Sequence, residues 1–431
     1  MRLTIPTDSS DVELDGVDLL EPRLYGEGDP HRVWHAMREH DPVRWQAVGE
    51  TGFWSVTRHA DANRVLRDHA AFTSERGTML SMLGVDDPAA GSEMTVTDPP
   101  RHTQMRVPLQ RALSGKAMLR REERIRAEVR RLLAPALDGE PFDLAAMAMR
   151  LSATVACVLI GLPLEDRDLL SRLATTAIAP DDPEYLLPGG REATLAETHQ
   201  QLFVYFHDAA QPRRGPAADD LLDVLFGIEV DGKPMDRASL AANCYSLLLG
   251  ATVTTPHALG ANVLRMMEDR SYHEWADHPE LLQSGVEEAL RWASPANHFM
   301  RYATQDVEVG GVRVREGEAV VAWLGSANRD AAVFPDPYRF DLRRQPNRHV
   351  AFGVGPHHCV GHSAARLTLR VAFEEVFRQF AGFEPAGPVD HLHSNFIAGI
   401  KHLPVVPHPR AERSRREPAA AGPAMAGCPF H

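Results

Sequence analysis

The stretch from Ala351 to Ser363 reads AFGVGPHHCVGHS and constrains the chain more tightly than any other. Gly353, Gly355 and Gly361 crowd around Cys359, and His357, His358 and His362 lie within three residues of it. A helical pattern starts at Val360 and extends to about Phe380. Glycine at this density predicts a backbone that turns into positive φ or presses against something flat. The following helix would aim its unpaired amides and positive dipole end at the sulfur, favouring the ionised form.

Three roles compete for that cysteine. A buried structural thiol would not need Gly353 and Gly355. A zinc ligand would find company in His357, His358 and His362, but adjacent His-His-Cys side chains splay apart. No second ligand cluster with CxxC spacing exists elsewhere. An axial thiolate to heme iron would use the glycines to bring the loop close to the porphyrin plane. The residue pattern favours the third role and leaves all three open.

The remainder of the chain describes the body that carries this loop. Its 431 residues are 44% hydrophobic, which predicts a sizeable core and argues against wholesale disorder. A formal charge of −13 argues against nonspecific nucleic-acid binding. The acidic start MRLTIPTDSSDVELDGVDLL lacks the basic opening and apolar run of a signal peptide. No stretch approaches the roughly 18 uninterrupted apolar residues of a membrane span. Cys157, Cys244, Cys359 and Cys428 are too scattered for a disulfide framework. A soluble cytoplasmic protein is expected.

Helical signals dominate. REERIRAEVRRLLAPAL carries Ile125, Val129, Leu132 and Leu133 at helical spacing beneath a charged face. The longest predicted helix runs from Asp236 to Arg270, capped by Asp236 or Ser239, and another spans about Glu280 to Trp292. Strand-like alternation is short: VRWQAV and GFWSVT near the start, then VEVGGVRV around Gly310–Gly311, a hairpin signal. No repeat is present, and no linker is evident before a Pro/Ala/Arg-rich tail from about Pro407.

Phe352-Gly353-x-Gly355-x-His357-x-Cys359-x-Gly361 resembles the heme-thiolate signature of the cytochrome P450 family at every fixed position. Glu288 and Arg291 in GVEEALRWASP resemble the family's Glu-x-x-Arg pair. Arg339 in FPDPYRFD resembles the arginine that completes that buried network, and His102 and Arg106 in DPPRHTQMR its His-x-x-x-Arg segment. Matches run in order from about Val33 to Val406. The resemblance implies the cytochrome P450 fold, mainly α with small β-sheets, as a single catalytic domain over 1–406 followed by a flexible tail over 407–431. Heme b (iron protoporphyrin IX) would lie between a long central helix and the cysteine-loop helix. Cys359 would be its axial metal ligand, and Phe352, Gly353, Gly361 and Ala251 would contact it. His102, Arg106, Arg301, His349 and His357 are the implied partners of its two propionates, the arginines most strongly because a guanidinium fits a carboxylate bidentately. Taken alone, Glu288 and Arg291 could form an ordinary exposed i,i+3 pair worth only a few tenths of a kcal/mol. The implied network would bury them.

The central helix carries a departure. The segment from Leu247 to Gly260 reads LLLGATVTTPHALG. Gly250 and Ala251 match the small pair that makes room for dioxygen, and Thr254 matches the family's alcohol position. Val253 occupies the place of the proton-relaying acid. Thr252, Thr254 and Thr255 could order a water chain instead, helped by Pro256, which has no N–H for the Thr252 carbonyl. A lone helical threonine more often bonds back to its own helix. Without the acid, protons would come through water, another residue or the substrate.

The family's cavity-lining segments fall at about Thr78–Glu93, about Ala177–Phe206, Asn297–Met300 and Phe396–Ile397. Met79, Leu80, Met82, Gly250, Val253, Asn297, His298, Phe396 and Ile397 are the candidate substrate contacts. They suggest a medium-sized, mostly apolar molecule with a few polar groups. Arg111, Lys116, Arg120, Arg121, Arg366 and Arg370 form a basic grouping suited to an external ferredoxin, itself served by a ferredoxin reductase. The leading expectation is a monomeric monooxygenase that hydroxylates or epoxidises a secondary metabolite, with neither nucleic-acid nor membrane partners. Oxidative coupling or cyclisation by the same centre is the first alternative. A non-catalytic heme-containing binding or sensor protein is the second.

Overall fold

The computed structural model describes residues 12–211, 220–269 and 271–411. Helices form most of it. The helix Leu144–Ile160 is apolar on nearly every face and lies in the core. Asp143 caps it by accepting from the Ala145 and Ala146 amides, and Gly161 ends it at φ 91°. The helix Glu122–Leu133 buries Ile125, Val129, Leu132 and Leu133, the stripe read from its spacing. Around Leu144–Ile160 pack the central helix Arg237–Thr252 and its continuation Thr255–Asp269. The continuation also touches Leu282–Ala293 and the cysteine helix His362–Gln379.

The predicted single helix from Asp236 to Arg270 is broken at Val253–Thr254. Pro256 cannot donate to the Thr252 carbonyl. The Thr252 and Thr254 hydroxyls donate to Leu248 O at 2.7 Å and Gly250 O at 3.0 Å, competing with the backbone ladder. Asp236 is the cap, accepting from the Ser239 amide at 2.7 Å; Arg270 lies outside the described residues. The whole run Arg237–Asp269 is long and apolar enough to cross a bilayer, but it is broken, and just over half of its apolar window is buried against protein.

A five-stranded sheet lies at one side, in the order Val43–Val48, Thr51–Val56, Ala319–Trp323, His298–Ala303, Phe72–Thr73. Its pairings are antiparallel except for Ala319–Trp323 beside Thr51–Val56. The VEVGGVRV hairpin turns on Gly310 and Gly311 at φ 55° and 84°, as a two-residue turn of this twist requires. Order persists past the expected boundary at 406: Pro404–Pro409 pairs with Phe380–Pro385, and the Arg410 amide donates to Gln379 O at 2.8 Å. Of the predicted tail, residues 412–431 with Cys428 lie outside the described residues, as do residues 1–11.

Candidate active site

Cys359 sits in a tight loop. Its amide donates to Phe352 O at 2.8 Å, and the Gly353 amide donates to Val350 O at 2.8 Å. Gly355 has φ 75°, and a Cβ there would meet Leu66 O at 2.7 Å and Arg67 Cα at 2.8 Å. No other residue fits that position. The helix begins at His362, two residues later than expected. Cys359 lines a cavity of about 590 Å³, together with Gly250, Ala251, Val253, Thr254 and Thr255. Burial pushes its thiol up, against the opposing pull of the Gly361 amide, Arg106 and Arg366. The helix end alone therefore does not ionise the sulfur; a bound metal cation would.

The same cavity holds a cationic rim. His102, Arg106, Arg301 and His357 all line it. The His102 and His357 rings lie 4.3 Å apart, and His102 Nε2 is buried with no hydrogen-bond partner. Burial first, then His357 and Arg106, lower His102 to about 3. Arg301 is buried too, and desolvation brings it down to about 10; among the described residues its guanidinium donates only to Met300 O, at 2.8 Å. Arg106 donates to His358 O. The carboxylate at hand is Asp98, 3.8 Å from His357 Nε2. Two guanidiniums against one carboxylate, with an orphaned imidazole nitrogen beside them, fit an anionic guest that offers carboxylates. A heme with two propionates fits this donor set, and the glycine-flanked cysteine fits its iron.

His349 is elsewhere. It does not line the cavity; its Nε2 lies 3.1 Å from Glu287 Oε2. Arg366 holds the same carboxylate at 2.6 and 2.8 Å and stacks over the Phe352 ring at 4.6 Å. Burial alone would raise Glu287, yet the bonds from Arg366 and His349 overcome it and hold the group at about 2. This unit ties the cysteine loop to the helix Leu282–Ala293. Neither Glu287 nor the partner choice of Arg366 was legible from spacing.

Beside it, Glu288 and Arg291 are fully buried, joined by two bonds of 2.7 Å. Arg339 is not the third member: its side chain is exposed, and only its carbonyl takes part, accepting from Arg291 and Arg344. Arg344 completes the network, with Nε 3.2 Å from Glu288 Oε2, and Asn347 and the Asp341 amide satisfy the remaining lone pairs. Removing a partner from a buried pair costs about 3–5 kcal/mol, whereas an exposed side chain costs within about 0.5 kcal/mol. Urea unfolding of Arg344→Ala and Arg339→Ala should therefore separate by several kcal/mol, with Arg344→Ala the weaker protein.

Candidate substrate contacts divide by strand and helix phase. Met79, Met82, Gly250, Val253 and Phe396 line the cavity. Leu80, Asn297, His298 and Ile397 do not. His298 points off the cavity because side chains alternate along His298–Ala303, which puts Phe299 and Arg301 on the cavity face. His298 Nε2 accepts from the Leu80 amide at 3.1 Å, and Asn297 Nδ2 donates to Asn395 O. Thr252 is buried on the far side of its helix, unlike Thr254 and Thr255. Phe299, inside the expected lining segment Asn297–Met300, is the residue of that segment that lines the cavity, although it was not among the contacts singled out; period-two alternation from Arg301 would have picked it.

The basic grouping is smaller than expected. Arg366 is consumed by Glu287, and Arg370 by Glu122 and Glu374 at 2.6 and 2.7 Å. Arg121 donates to Ala117 O at 3.2 Å. Arg111, Lys116 and Arg120 are exposed around Leu119, itself 61% exposed, and make no ion pair among the described residues.

Comparison with known proteins agrees with this geometry. The sequence profile described as Cytochrome P450 matches residues 273–398. Cytochrome P450 NovI of Streptomyces niveus is 33% identical over 407 residues, covering 93% of this chain and 98% of that protein. Linalool 8-monooxygenase of Pseudomonas putida is 31% identical, covering 91% and 99%. Among solved structures, P450 OxyD, involved in the biosynthesis of vancomycin-type antibiotics, superposes with a TM-score of 0.81 at 33% identity, over 92% of this chain and 100% of that one. CYP268A2 of Mycobacterium marinum, in complex with pseudoionone, gives 0.84 at 29% identity over the same shares.

Proposed function

The chain belongs to the cytochrome P450 family and is a monooxygenase by class, and from that premise we propose that it oxidises a medium-sized, mostly apolar metabolite at a heme ligated by Cys359. Heme held by a thiolate supplies activation of dioxygen by two electrons, with one oxygen atom passing to the substrate and the other to water. The observation that carries this assignment is the cavity that joins Cys359 to the undercompensated rim of His102, Arg106, Arg301 and His357. Arg106 and Arg301 would bind the propionates, and the two histidines would donate from the same side.

Gly250 and Ala251 leave the distal wall without bulk; a Cβ on Gly250 would meet no neighbour within 4 Å. Val253 cannot hold a proton. Thr254 and Thr255 are then the hydroxyls that would order water at that wall, Thr254 already bonded to Gly250 O. Thr254→Ala is expected to lower product formed per electron pair by about tenfold, with hydrogen peroxide making up the difference. Val253→Glu should reduce peroxide release with poor substrates. Both are read by comparing reductant consumed with product, using a surrogate ferredoxin and reductase.

The exposed set Arg111, Lys116 and Arg120 around Leu119 suits an acidic ferredoxin, and a soluble cytoplasmic monomer suits that partnership. P450 OxyD, named above, is involved in the biosynthesis of vancomycin-type antibiotics, and we place the substrate among such secondary metabolites. Val253 favours a second reading, oxidative coupling or ring closure without oxygen insertion. Turnover under labelled dioxygen decides: label in the product supports monooxygenation, and unlabelled product with consumed electrons overturns it.

A further inference from the structure

The cationic rim has a counterpart that a heme does not account for. At another part of the same cavity wall stands Glu93, only 6% exposed. Its Oε2 accepts from the Thr95 amide at 3.0 Å and the Thr95 hydroxyl at 2.5 Å. Its Oε1 is buried and makes no well-formed hydrogen bond, the nearby Ser246 hydroxyl being the neutral donor that helps hold the carboxylate. Asp87, half-buried, lines the cavity as well, and neither carboxylate makes an ion pair among the described residues.

The segment is held firmly. The Met94 amide donates to Asn243 Oδ1 at 3.1 Å, Asn243 Nδ2 donates to Ser92 O at 3.0 Å, and the Thr97 hydroxyl donates to Glu93 O at 2.6 Å. Glu93 is therefore fastened to the central helix one turn from its Tyr245 and Ser246, which also line the cavity. The Tyr245 ring lies 5.5 Å from Phe203 and 6.0 Å from His199. Burial lowers His199, which disfavours a counter-charge on its imidazole. Burial raises Glu93 against the pull of the Thr95 and Ser246 donors, and Asp87 adds to the rise; the carboxylate has neutral donors but no cation among the described residues.

We propose that this acidic, aromatic-flanked end of the cavity binds a protonated amine on the substrate, with Glu93 as the specificity-determining residue. A buried carboxylate held only by neutral donors gains most from a charged one, and neighbouring ring faces add attraction for a cation. Ser246 lies six residues, about 9 Å along the axis, before the helix ends at Thr252, and Thr254 follows just past the break. An amine held at Glu93 would thus leave the apolar remainder of the molecule to reach the distal wall. The substrate class is an amino compound with an apolar or aromatic body, oxidised away from its nitrogen. This deepens the monooxygenase reading and rests on it for the identity of the reacting end.

The test uses the holoenzyme and two matched probes, 4-phenylbutylamine and 4-phenyl-1-butanol, each radiolabelled, in equilibrium dialysis. Wild type should bind the amine about tenfold or more tightly than the alcohol, and Glu93→Gln should remove that preference while leaving the alcohol within about twofold. Equal affinities in wild type overturn the proposal, as does an amine preference that survives Glu93→Gln. A heme spectrum of nitrogen ligation with 4-phenylbutylamine also overturns it, since the amine would then sit at the iron. Should Glu93→Gln fail to fold, the wild-type amine-to-alcohol ratio decides. Loss of the thiolate-type spectrum in wild type would strike the heme assignment instead, because dialysis reads the acidic end whether or not iron is present.

Discussion

Replacing Cys359 with serine is expected to abolish the thiolate-type Soret band of the reduced carbon monoxide complex and all monooxygenase turnover. The loop offers no substitute ligand. His358 and His362 pack edge to face with centroids 5.0 Å apart, and Arg366 lies 3.0 Å from His362 Nδ1, so both rings are engaged with each other and with Arg366. A serine hydroxyl would keep the loop's hydrogen bonds, since the contact to Phe352 O comes from the backbone amide. The variant should therefore fold, with unchanged far-ultraviolet circular dichroism. A band of unaltered position and intensity in Cys359→Ser would assign the ligand elsewhere and refute the proposed centre.

Glu288→Ala should have the largest effect on stability. Its carboxylate accepts from Arg291, Arg344, Asn347 and the Asp341 amide with no solvent exposure. Alanine would strand the Arg291 charge at full burial and leave Arg344 facing it. The expected cost is about 3–5 kcal/mol, a large part of a domain's net stability. Heme content should fall in parallel, since Arg291 also donates to Asn328 O and Pro337 O at 2.9 Å and so organises the turns that lead into the cysteine loop. The urea midpoint of the purified variant, read with its heme-to-protein ratio, checks both. An unshifted midpoint would mean that the network contributes nothing net. Glu288→Gln should be milder, because the amide oxygen still accepts from Arg291.

The difference between Arg339 and Arg344 illustrates what sequence reading reaches. Glu288 and Arg291 were legible as a pair because i,i+3 positions on one helix face each other whatever surrounds them. The third member comes from an irregular segment, where five residues of turn decide which guanidinium points inward. No periodicity predicts that choice. His298 and Phe299 fail and succeed for a related reason: strand alternation is knowable, but its phase depends on which face the cavity takes. The break at Val253 was foreshadowed by Pro256 and three threonines, yet its position follows from which hydroxyls bond back to the helix.

The local chemistry was determined by the sequence alone. Glycines around Cys359, small residues at Gly250 and Ala251, and valine at 253 state their requirements within a few residues, because φ limits, side-chain volume and proton-holding capacity are properties of single positions. Tertiary structure alone decided which charges are compensated. Arg366 and Arg370 lose their freedom to Glu287, Glu122 and Glu374, while Arg106 and Arg301 keep theirs toward the cavity. It also set Glu93 beside Tyr245 and Ser246, some 150 positions away in the chain. Electrostatic fate depends on distance and desolvation between groups far apart in sequence, and those quantities exist only once the chain has folded.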